Sequence, residues 1–447
     1  MVEAAPRLRV LLSLTLACGM ASVAWGATEA AASAVAPSIG RTSPTSTRRA
    51  GEVGGGGLAI RAKKALTAVW EGPQVVDHAV ILVRDGRIES VEPARAASIP
   101  ADYAVVDVGD HWVMPGMVDL HSHVGGSGDI NDMVLQVNPG LRVNSAVIPD
   151  NPALQLTVAG GVTTILFIPG SGTNVGGQGI LLKSGLDTFE RMRVRDPGSL
   201  KIAQGDNPTR WGYRMGRGMM NHHIRGSVRR GVAYAMAWRR YENEGGERPQ
   251  RRLDLDVYRD LFEGKTQIST HTQYYALVLY TLKILGEEFG LPVYIDHGSF
   301  DSYYLTPIAE ELGVAAILGP REIMVPRPPR FDTDGRIEGT AWGFQKLGHS
   351  LIGFNTDAPV VAAEELSLQA AMGVRYGFDD SDMQSVRGVT IVPAKVAGID
   401  ERVGSLEPGK DADIVVVSGD PMDPRSYVDR VFIEGELVYD RAEGARW

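Results

Sequence analysis

The sequence predicts an α/β protein in which a (β/α)8 TIM-like barrel carries a small β-sandwich domain built from both chain ends. Residues 113–400 alternate apolar, β-rich runs with helical stretches, a pattern typical of parallel strands joined by crossover helices. Short β-rich runs flank this region at 58–112 and 401–447. A doubly wound open sheet is the alternative, but no G-x-G-x-x-G motif follows any of the predicted strands.

The chain begins with a segment that has the features of a secretory signal peptide, residues 1–27. Arg7 and Arg9 precede the apolar stretch 10–25, which is shorter than the roughly 20 apolar residues that a membrane-spanning helix needs. We therefore expect export to the periplasm or the extracellular space, with no membrane association after the signal is removed. A lipoprotein signal around Cys18, in the sequence TLACG, is the alternative.

A segment rich in Ala, Ser, Thr, Pro and Gly follows at 28–57, and this composition is typical of a flexible linker. Beyond it, Asp85-Gly86 is a strong tight-turn pair between two β-like runs, and Glu434-Gly435 interrupts a similar run near the C-terminus. Two β-rich ends around a long middle predict that 58–112 and 401–447 assemble into one small β domain.

Composition excludes one class of partner. The chain of 447 residues has a formal net charge of −9 without long blocks of like charge, which argues against nucleic acid as a partner. Its hydrophobic fraction of 44% is enough for a large core. We therefore expect a globular protein rather than a disordered or nucleic-acid-binding one.

Potential metal ligands stand at the ends of four predicted barrel strands. The runs VDLHSH, QISTH, VYIDH and GFNTD end in His121 and His123, His271, His297 and Asp357, respectively. The reactive groups of such barrels gather at the C-terminal ends of the strands. Residues i and i+2 of a strand share a face, so His121 and His123 can approach one cation from the same side.

Several imidazoles with a carboxylate favour zinc or a similar divalent cation, with one coordination position left for water. Bound water then ionises near neutral pH, and Asp357 can take its proton and later deliver it to a leaving nitrogen. His297 has two interpretations, as a metal ligand or as a catalytic group that contacts the substrate. One strand-end histidine alone is more often structural, but four such strand ends together favour a metal site.

Two segments resemble the metal-dependent amidohydrolase superfamily: VMPGMVDLHSH (113–123) matches its first-strand signature, and TIVPAKVAGIDERVGSLEPGKDADIVVVSGDPMD (390–423) matches its C-terminal segment. The resemblance covers residues 58–441 and is greatest to the imidazolonepropionase-like branch. It implies a metal-dependent hydrolase of C–N bonds in small-molecule amides, cyclic amides or amidines. It assigns metal binding to His121, His123 and His271, a metal or proton-transfer role to Asp357, and a metal or substrate role to His297.

The number of ions depends on a possible bridging ligand. Two-metal members of this superfamily bridge their ions by a carbamylated lysine or an acidic residue, and the candidates here are Lys201, Lys183 and Asp206. Lys201 lies near the start of its predicted strand, and Lys183 lies in a hairpin-like stretch flanked by glycine. We expect both lysines to be solvated or backbone-bonding surface groups, so one ion is preferred over two.

Two glycine-rich loops follow predicted strands, at 169–179 and 204–220. Glycine permits close approach of a ligand to the backbone, and loops after barrel strands commonly shape specificity. The alternative is that these residues are present only because tight turns favour Gly, Pro, Asn and Asp. The polar side chains predicted to contact substrate are Asn174, Gln178, Asp206, Asn207, Arg210 and, just after His271, Gln273.

The preferred function is an exported amidohydrolase. A prolidase-like dipeptidase on the same fold is an alternative, in which Arg210 or Arg321 would bind the substrate carboxylate. The other alternative is a non-catalytic binding protein of this fold. Such a protein is expected to have lost ligands, so the presence of the histidines together with Asp357 argues against it.

Overall fold

The structure, a computed structural model, describes residues 56–210, 214–320, 323–324 and 338–443. The predicted signal peptide, all but the end of the predicted linker, and Arg321 lie outside the described residues. Within the described part of the chain, no helix combines the length and the apolar character that crossing a membrane requires.

The strands are β1 (Leu58–Leu66), β2 (Val75–Arg84), β3 (Arg87–Pro93), β4 (Ala104–Asp107), β5 (Trp112–Pro115), β6 (Met117–Ser122), β7 (Val162–Phe167), β8 (Val175–Lys183), β9 (Arg193–Ala203), β10 (Gln267–His271), β11 (Ile295–His297), β12 (Ala316–Leu318), β13 (Ile323–Met324), β14 (Glu338–Gly339), β15 (Ile352–Phe354), β16 (Ile414–Val417), β17 (Val428–Ile433) and β18 (Glu436–Asp440).

The helices are α1 (Pro152–Ala159), α2 (Phe189–Met192), α3 (Asp206–Arg210), α4 (Arg217–Glu244), α5 (Asp256–Phe262), α6 (Tyr275–Thr281), α7 (Thr306–Glu311), α8 (Thr340–Lys346), α9 (Leu366–Arg375), α10 (Gln384–Gly388) and α11 (Ile391–Val396). A π-helical segment, Leu282–Glu288, continues α6. Among the described residues, 3-10 segments lie at Val143–Ala146, Phe300–Leu305, Ala363–Glu365 and Ser381–Met383.

Both chain ends contribute to one eight-stranded sheet of order β18-β17-β16-β5-β1-β2-β3, in which β4 also pairs with β1. Strand β5 joins the two ends, because it pairs parallel with β1 and antiparallel with β16. The predicted turns Asp85-Gly86 and Glu434-Gly435 connect β2 to β3 and β17 to β18, with positive φ at all four residues, as such hairpins require. The hydrogen bonds define one sheet and do not divide it into the two layers of the predicted sandwich.

The middle of the chain forms a five-stranded sheet of order β10-β9-β8-β7-β6 and a three-stranded sheet of order β11-β12-β15. Isolated parallel bridges join these sheets on both sides. Thr272 pairs with His297 beside β10 and β11, and Ser122 pairs with Ala358 between β6 and the segment after β15. The described residues therefore have a mixed α/β, TIM-barrel-like arrangement.

Strand β8 departs from the parallel pattern that the sequence predicts, because it runs antiparallel to both β7 and β9. Only the short segment 168–174 separates it from β7, and a connection of this length can form a hairpin but not a crossover to a parallel strand. The predicted glycine-rich loop 169–179 is consequently a turn followed by the first half of a strand.

Strands β6, β7 and β10 are buried at every position. Such strands are covered on both faces, as is typical of barrels, and their polar residues can be accommodated only with bonding partners. The ends of these buried strands carry the candidate ligands.

Candidate metal centre

Four of the predicted ligands form one group. His121 is near the end of β6, His271 and His297 end β10 and β11, and Asp357 follows β15. One ligand atom of each lies within 4.8 Å of the corresponding atoms of the others. His123 adjoins this group, because its Nε2 lies 3.3 Å from Asp357 Oδ1. The structure thus brings together residues that are far apart in the chain.

Three of these imidazoles have the same orientation, with Nδ1 bonded to an acceptor and Nε2 turned towards Asp357. The acceptors are Asp296 Oδ2 for His121 (2.7 Å), the Ile168 carbonyl for His123 (3.0 Å) and the Gly319 carbonyl for His297 (2.7 Å). Their Nε2 atoms lie 3.3, 3.3 and 3.9 Å, respectively, from a carboxylate oxygen of Asp357. An imidazole that donates from Nδ1 carries its lone pair on Nε2, so three nitrogen lone pairs converge on one carboxylate.

The fourth imidazole bonds to a neighbour within the group. His271 Nδ1 lies 2.9 Å from His297 Nε2. Since His297 donates from Nδ1 to the Gly319 carbonyl, its Nε2 is the acceptor in this contact. A cation near His297 would therefore compete with the His271 proton for the same nitrogen.

The backbone is unusual at two of these residues, because His297 has φ +73° and Asp357 has φ +51°. Non-glycine residues adopt positive φ uncommonly, at a cost of about 1–3 kcal/mol, and do so both in tight turns and at functional sites. Positive φ also ends the regular alternation of a strand, so the direction of these side chains does not follow from strand period alone.

Burial fixes the charge states of the group. Desolvation lowers the pKa of His121 and of His271 well below the usual value, and lowers the pKa of His297 to about 4. Burial by itself would raise the pKa of Asp357, but His297 and His123 outweigh it and hold that pKa below its usual range. Neutral imidazoles and an ionised carboxylate are the forms that bind metal ions. The donor set therefore fits a divalent cation.

Lys201 is not the surface group that the sequence predicts. Strand β9, which carries Lys201, begins at Arg193, earlier than the sequence indicates. Lys201 therefore lies two residues before Ala203, the last residue of β9. Its side chain is fully buried and its Nζ lies 3.0 Å from His121 Nε2. Burial lowers the pKa of Lys201 to about 8, against the opposing effect of Asp296 and Asp357.

The other bridging candidate, Lys183, is also buried but has different partners. It is the last residue of β8, and its Nζ forms ion pairs with Asp411, at 3.0 Å, and with Asp413. These carboxylates precede β16, so Lys183 ties the barrel sheet to the C-terminal segment. Lys183 is therefore not the surface group that the sequence predicts, and it is not available as the candidate bridging ligand because both aspartates already hold its ammonium group.

Two predicted substrate residues instead support the structure. Asn174 is fully buried and its Nδ2 donates to the Ala203 carbonyl at 2.8 Å. Gln178 is buried within β8, accepts from Arg142 Nε at 3.0 Å and donates to the Pro139 carbonyl at 2.8 Å. Gln178 thereby fixes the segment that carries Pro139 and Arg142 against the sheet.

The remaining substrate candidates lie after β9 and β10. Asn207 is half-buried in α3, and Gln273 is half-buried after β10. Asp206 and Arg210 also belong to α3, but their side chains lie outside the described residues.

Two buried carboxylates, Asp119 and Asp296, also bond to His121 and are not among the residues that the sequence predicts for the site. Asp119 accepts from the His121 backbone N–H at 3.1 Å and from Thr356 Oγ1 at 2.5 Å. Asp296 bonds to the His121 ring and stands directly before His297, where regular strand alternation would point it away from the site. A charged residue within a buried apolar strand is the signal that identifies both, since such a group is stable only when it has partners.

A TIM-barrel-like fold with four imidazoles and a carboxylate at its strand ends is an arrangement suited to metal-dependent chemistry. The Amidohydrolase family model matches residues 343–438, which include Asp357. Amidohydrolase tasK of Hapsidospora irregularis is 24% identical over 418 residues, which cover 83% of this chain and 40% of that protein. The chain thus spans about two fifths of the length of this relative.

Two further similarities cover different lengths. An amidohydrolase of Thermotoga maritima MSB8 superposes with a TM-score of 0.74 at 29% identity, covering 86% of this chain and 100% of that chain. An imidazolonepropionase of Rhizobium rhizogenes is 39% identical over 59 residues, 13% of this chain and 14% of that protein. The family-model match and the similarity to named amidohydrolases support the metal-dependent amidohydrolase superfamily, in agreement with the motifs in the sequence.

Proposed function

We propose that this protein is an exported, metal-dependent amidohydrolase that cleaves a C–N bond of a small-molecule amide, cyclic amide or amidine. The observation that carries the proposal is the convergence of three Nε2 lone pairs on the Asp357 carboxylate. Similarity to proteins named amidohydrolases over most of this chain supports the same reaction class.

The metal ligands in this proposal are His121, His123, His271, His297 and Asp357, and the cation is zinc or a similar divalent ion. A cation bound there supplies Lewis-acid chemistry, since it makes water more acidic and polarises a carbonyl oxygen. Burial keeps His121, His271 and His297 in the neutral, ligating form. The Nδ1 hydrogen bonds of His121, His123 and His297 fix the tautomer that carries the lone pair on Nε2.

Asp357 moves the proton. Its Oδ1 lies 3.3 Å from Nε2 of both His121 and His123, whereas its Oδ2 lies 3.9 Å from Nε2 of His297 and is therefore farther from the imidazole nitrogens. We assign to this oxygen the proton released by the attacking water, which is then delivered to the leaving nitrogen as the C–N bond breaks. His297 stands where it can orient the group that is attacked.

The position of Lys201 favours two ions over the single ion that the sequence analysis prefers. A protonated amine 3.0 Å from His121 Nε2 would compete with a cation for that lone pair. A lysine with a pKa of about 8 has an accessible neutral form. The neutral amine can add CO2 and lose a proton, which replaces a competing ammonium by a carbamate that offers oxygen ligands.

The experiment is a metal and activity measurement on purified protein. Metal per chain is measured first, and hydrolysis of a panel of amides, cyclic amides, amidines and dipeptides is then compared before chelation, after chelation and after zinc is restored. Asp357→Asn is compared with Asp110→Asn, which alters a side chain that is 95% exposed. N-terminal sequencing of the secreted or periplasmic fraction tests export.

The proposal expects bound metal and turnover that chelation removes and zinc restores. Turnover should fall by roughly 100- to 10,000-fold in Asp357→Asn and remain unchanged in Asp110→Asn. Bound metal without turnover on any of these substrates would favour a binding protein of this fold, and turnover confined to dipeptides would favour the prolidase-like alternative.

A further inference from the structure

One buried carboxylate, Asp296, connects three of the strands that carry candidate ligands. It belongs to β11, beside His297, and its two oxygens bond in different directions. Oδ2 lies 2.7 Å from His121 Nδ1, next to the end of β6. Oδ1 accepts from Asn355 Nδ2 at 3.0 Å, in the segment after β15.

The bond to His121 determines which ring nitrogen is available. Burial raises the pKa of Asp296 and the neighbouring Lys201 opposes this effect. The ionised carboxylate can only accept, so with Asp296 ionised the proton of the neutral imidazole resides on Nδ1 and the lone pair on Nε2. His121 Nε2 is the atom that lies 3.3 Å from Asp357 Oδ1. Asp296 therefore fixes both the tautomer and the ring rotation that point the lone pair inwards.

The bond to Asn355 fixes Asp296 itself. Asn355 Nδ2 also donates to the Ile317 carbonyl at 2.9 Å, so this amide is held by two elements of the three-stranded sheet region. Asn355 is fully buried and precedes Asp357 by two residues. The hydrogen bonds run without interruption from the Ile317 carbonyl through Asn355 and Asp296 to the His121 ring.

We propose that Asp296 is the positioning residue of the metal site. It holds His121 as the Nδ1–H tautomer and thereby increases the affinity of the site for a divalent cation. This role rests on the proposed function insofar as the ligand is a cation. A carboxylate that accepts from a ligating histidine raises the basicity of the ligand, and loss of such a partner typically weakens metal binding by about 10- to 100-fold.

Asp119 provides a matched control. It is as fully buried as Asp296 and also connects the β6 strand to the segment after β15, through the His121 backbone N–H and Thr356 Oγ1. It contacts only the backbone of His121, not the ring. Asp119→Asn therefore perturbs a comparable buried network without altering the partner of the imidazole.

The experiment compares the unaltered protein, Asp296→Asn and Asp119→Asn. Nitrogen NMR on metal-free protein reports the tautomer of His121, whose signals are assigned by their absence in His121→Gln. Zinc affinity is measured by competition with a chelator, and urea unfolding measures the stability of each variant. The tautomer of the unaltered protein does not depend on whether Asp296→Asn folds.

The proposal expects the Nδ1–H tautomer in the unaltered protein, zinc affinity about 10- to 100-fold lower in Asp296→Asn, and unchanged affinity in Asp119→Asn. An Nε2–H tautomer in the unaltered protein, equal zinc affinity in Asp296→Asn, or equal weakening in both variants would overturn it. Absence of zinc binding by the unaltered protein would refute both the proposed function and the role of Asp296. The other outcomes refute only the role of Asp296, so the two kinds of failure can be distinguished.

Discussion

The Nζ of Lys201 lies 3.0 Å from Nε2 of His121, and both side chains are fully buried. The two residues are 80 positions apart in the chain, and their strands are separated in the sheet by β7 and β8. This contact places an amine at the nitrogen lone pair that a cation would occupy. Metal binding and the chemical state of Lys201 are therefore coupled.

The first prediction concerns the two buried lysines. Lys201→Met removes the proposed bridging ligand while keeping similar volume, and we expect the metal content to fall from two ions per chain to one or fewer, with loss of turnover. Elemental analysis of the purified variant and kinetics with added zinc measure this. A metal content equal to that of the unaltered protein would contradict a bridging role for Lys201.

Lys183→Met is the control for this experiment. It leaves Asp411 and Asp413 buried without the ammonium group that pairs with them, and removal of one partner from a buried pair typically costs 3–5 kcal/mol. We expect a lower free energy of unfolding in urea with the metal content unchanged. Loss of metal in Lys201→Met and loss of stability without loss of metal in Lys183→Met would then show that the two buried lysines have different roles.

The second prediction concerns metal removal. A ligand that binds only the native state stabilises it by about 2.7 kcal/mol when its free concentration is 100 times its dissociation constant. Urea unfolding in buffered zinc and in excess chelator should differ by an amount that grows with free zinc in this way. The same comparison with Asp357→Asn should show a smaller difference, and coincident curves for the unaltered protein would exclude a native-state zinc site.

The third prediction is a pH dependence that arises away from the site. Burial lowers the pKa of His349 from 6.5 to about 4, although Glu310 opposes this shift. Between these values the unfolded chain binds more protons than the native one, so the contribution of His349 to stability is present above about pH 6.5 and is lost as pH falls through about 4.

His349→Phe removes this titration and keeps a ring against Phe344, whose centroid lies 5.3 Å from that of His349. The free energy of unfolding of the unaltered protein, relative to that of the variant, should fall by about 1.4 kcal/mol per pH unit across this window. Titrating groups that do not contact His349 are common to both proteins and cancel, whereas Glu310, whose Oε1 lies 3.0 Å from His349 Nδ1, belongs to the measured difference. Parallel pH profiles in urea unfolding would show that His349 does not titrate in this way.

The fourth prediction separates two glutamines that the sequence treats alike. Gln178→Leu leaves the Pro139 carbonyl and Arg142 Nε without their partner, and we expect a loss of about 1–3 kcal/mol in stability with unchanged relative kcat/KM among substrates. Gln273→Leu alters a half-buried side chain two residues after His271, and we expect it to change KM. A change of substrate preference in Gln178→Leu would contradict the structural role.

Local pattern predicted much of the architecture. The turns at Asp85-Gly86 and Glu434-Gly435 follow from residues that tolerate positive φ, and the strands that end in His121 and His271 follow from their apolar, β-rich composition. Local pattern indicated a hairpin-like stretch around Lys183 but did not predict that β8 lies between β7 and β9 and antiparallel to both. Strand composition is nearly the same for either direction, and only the short connection from β7 decides it.

The sequence by itself indicated the superfamily and the residues capable of binding a cation, because ligand type, strand-end position and i, i+2 spacing are all local properties. The tertiary structure alone decided which groups surround them. In the folded chain, Lys201 and Asp296 contact the His121 ring, and Lys183 forms ion pairs with Asp411 and Asp413. The physical reason is that strand register, positive φ at His297 and burial from distant segments set the direction and charge of a side chain, and none of these is encoded in its immediate neighbours.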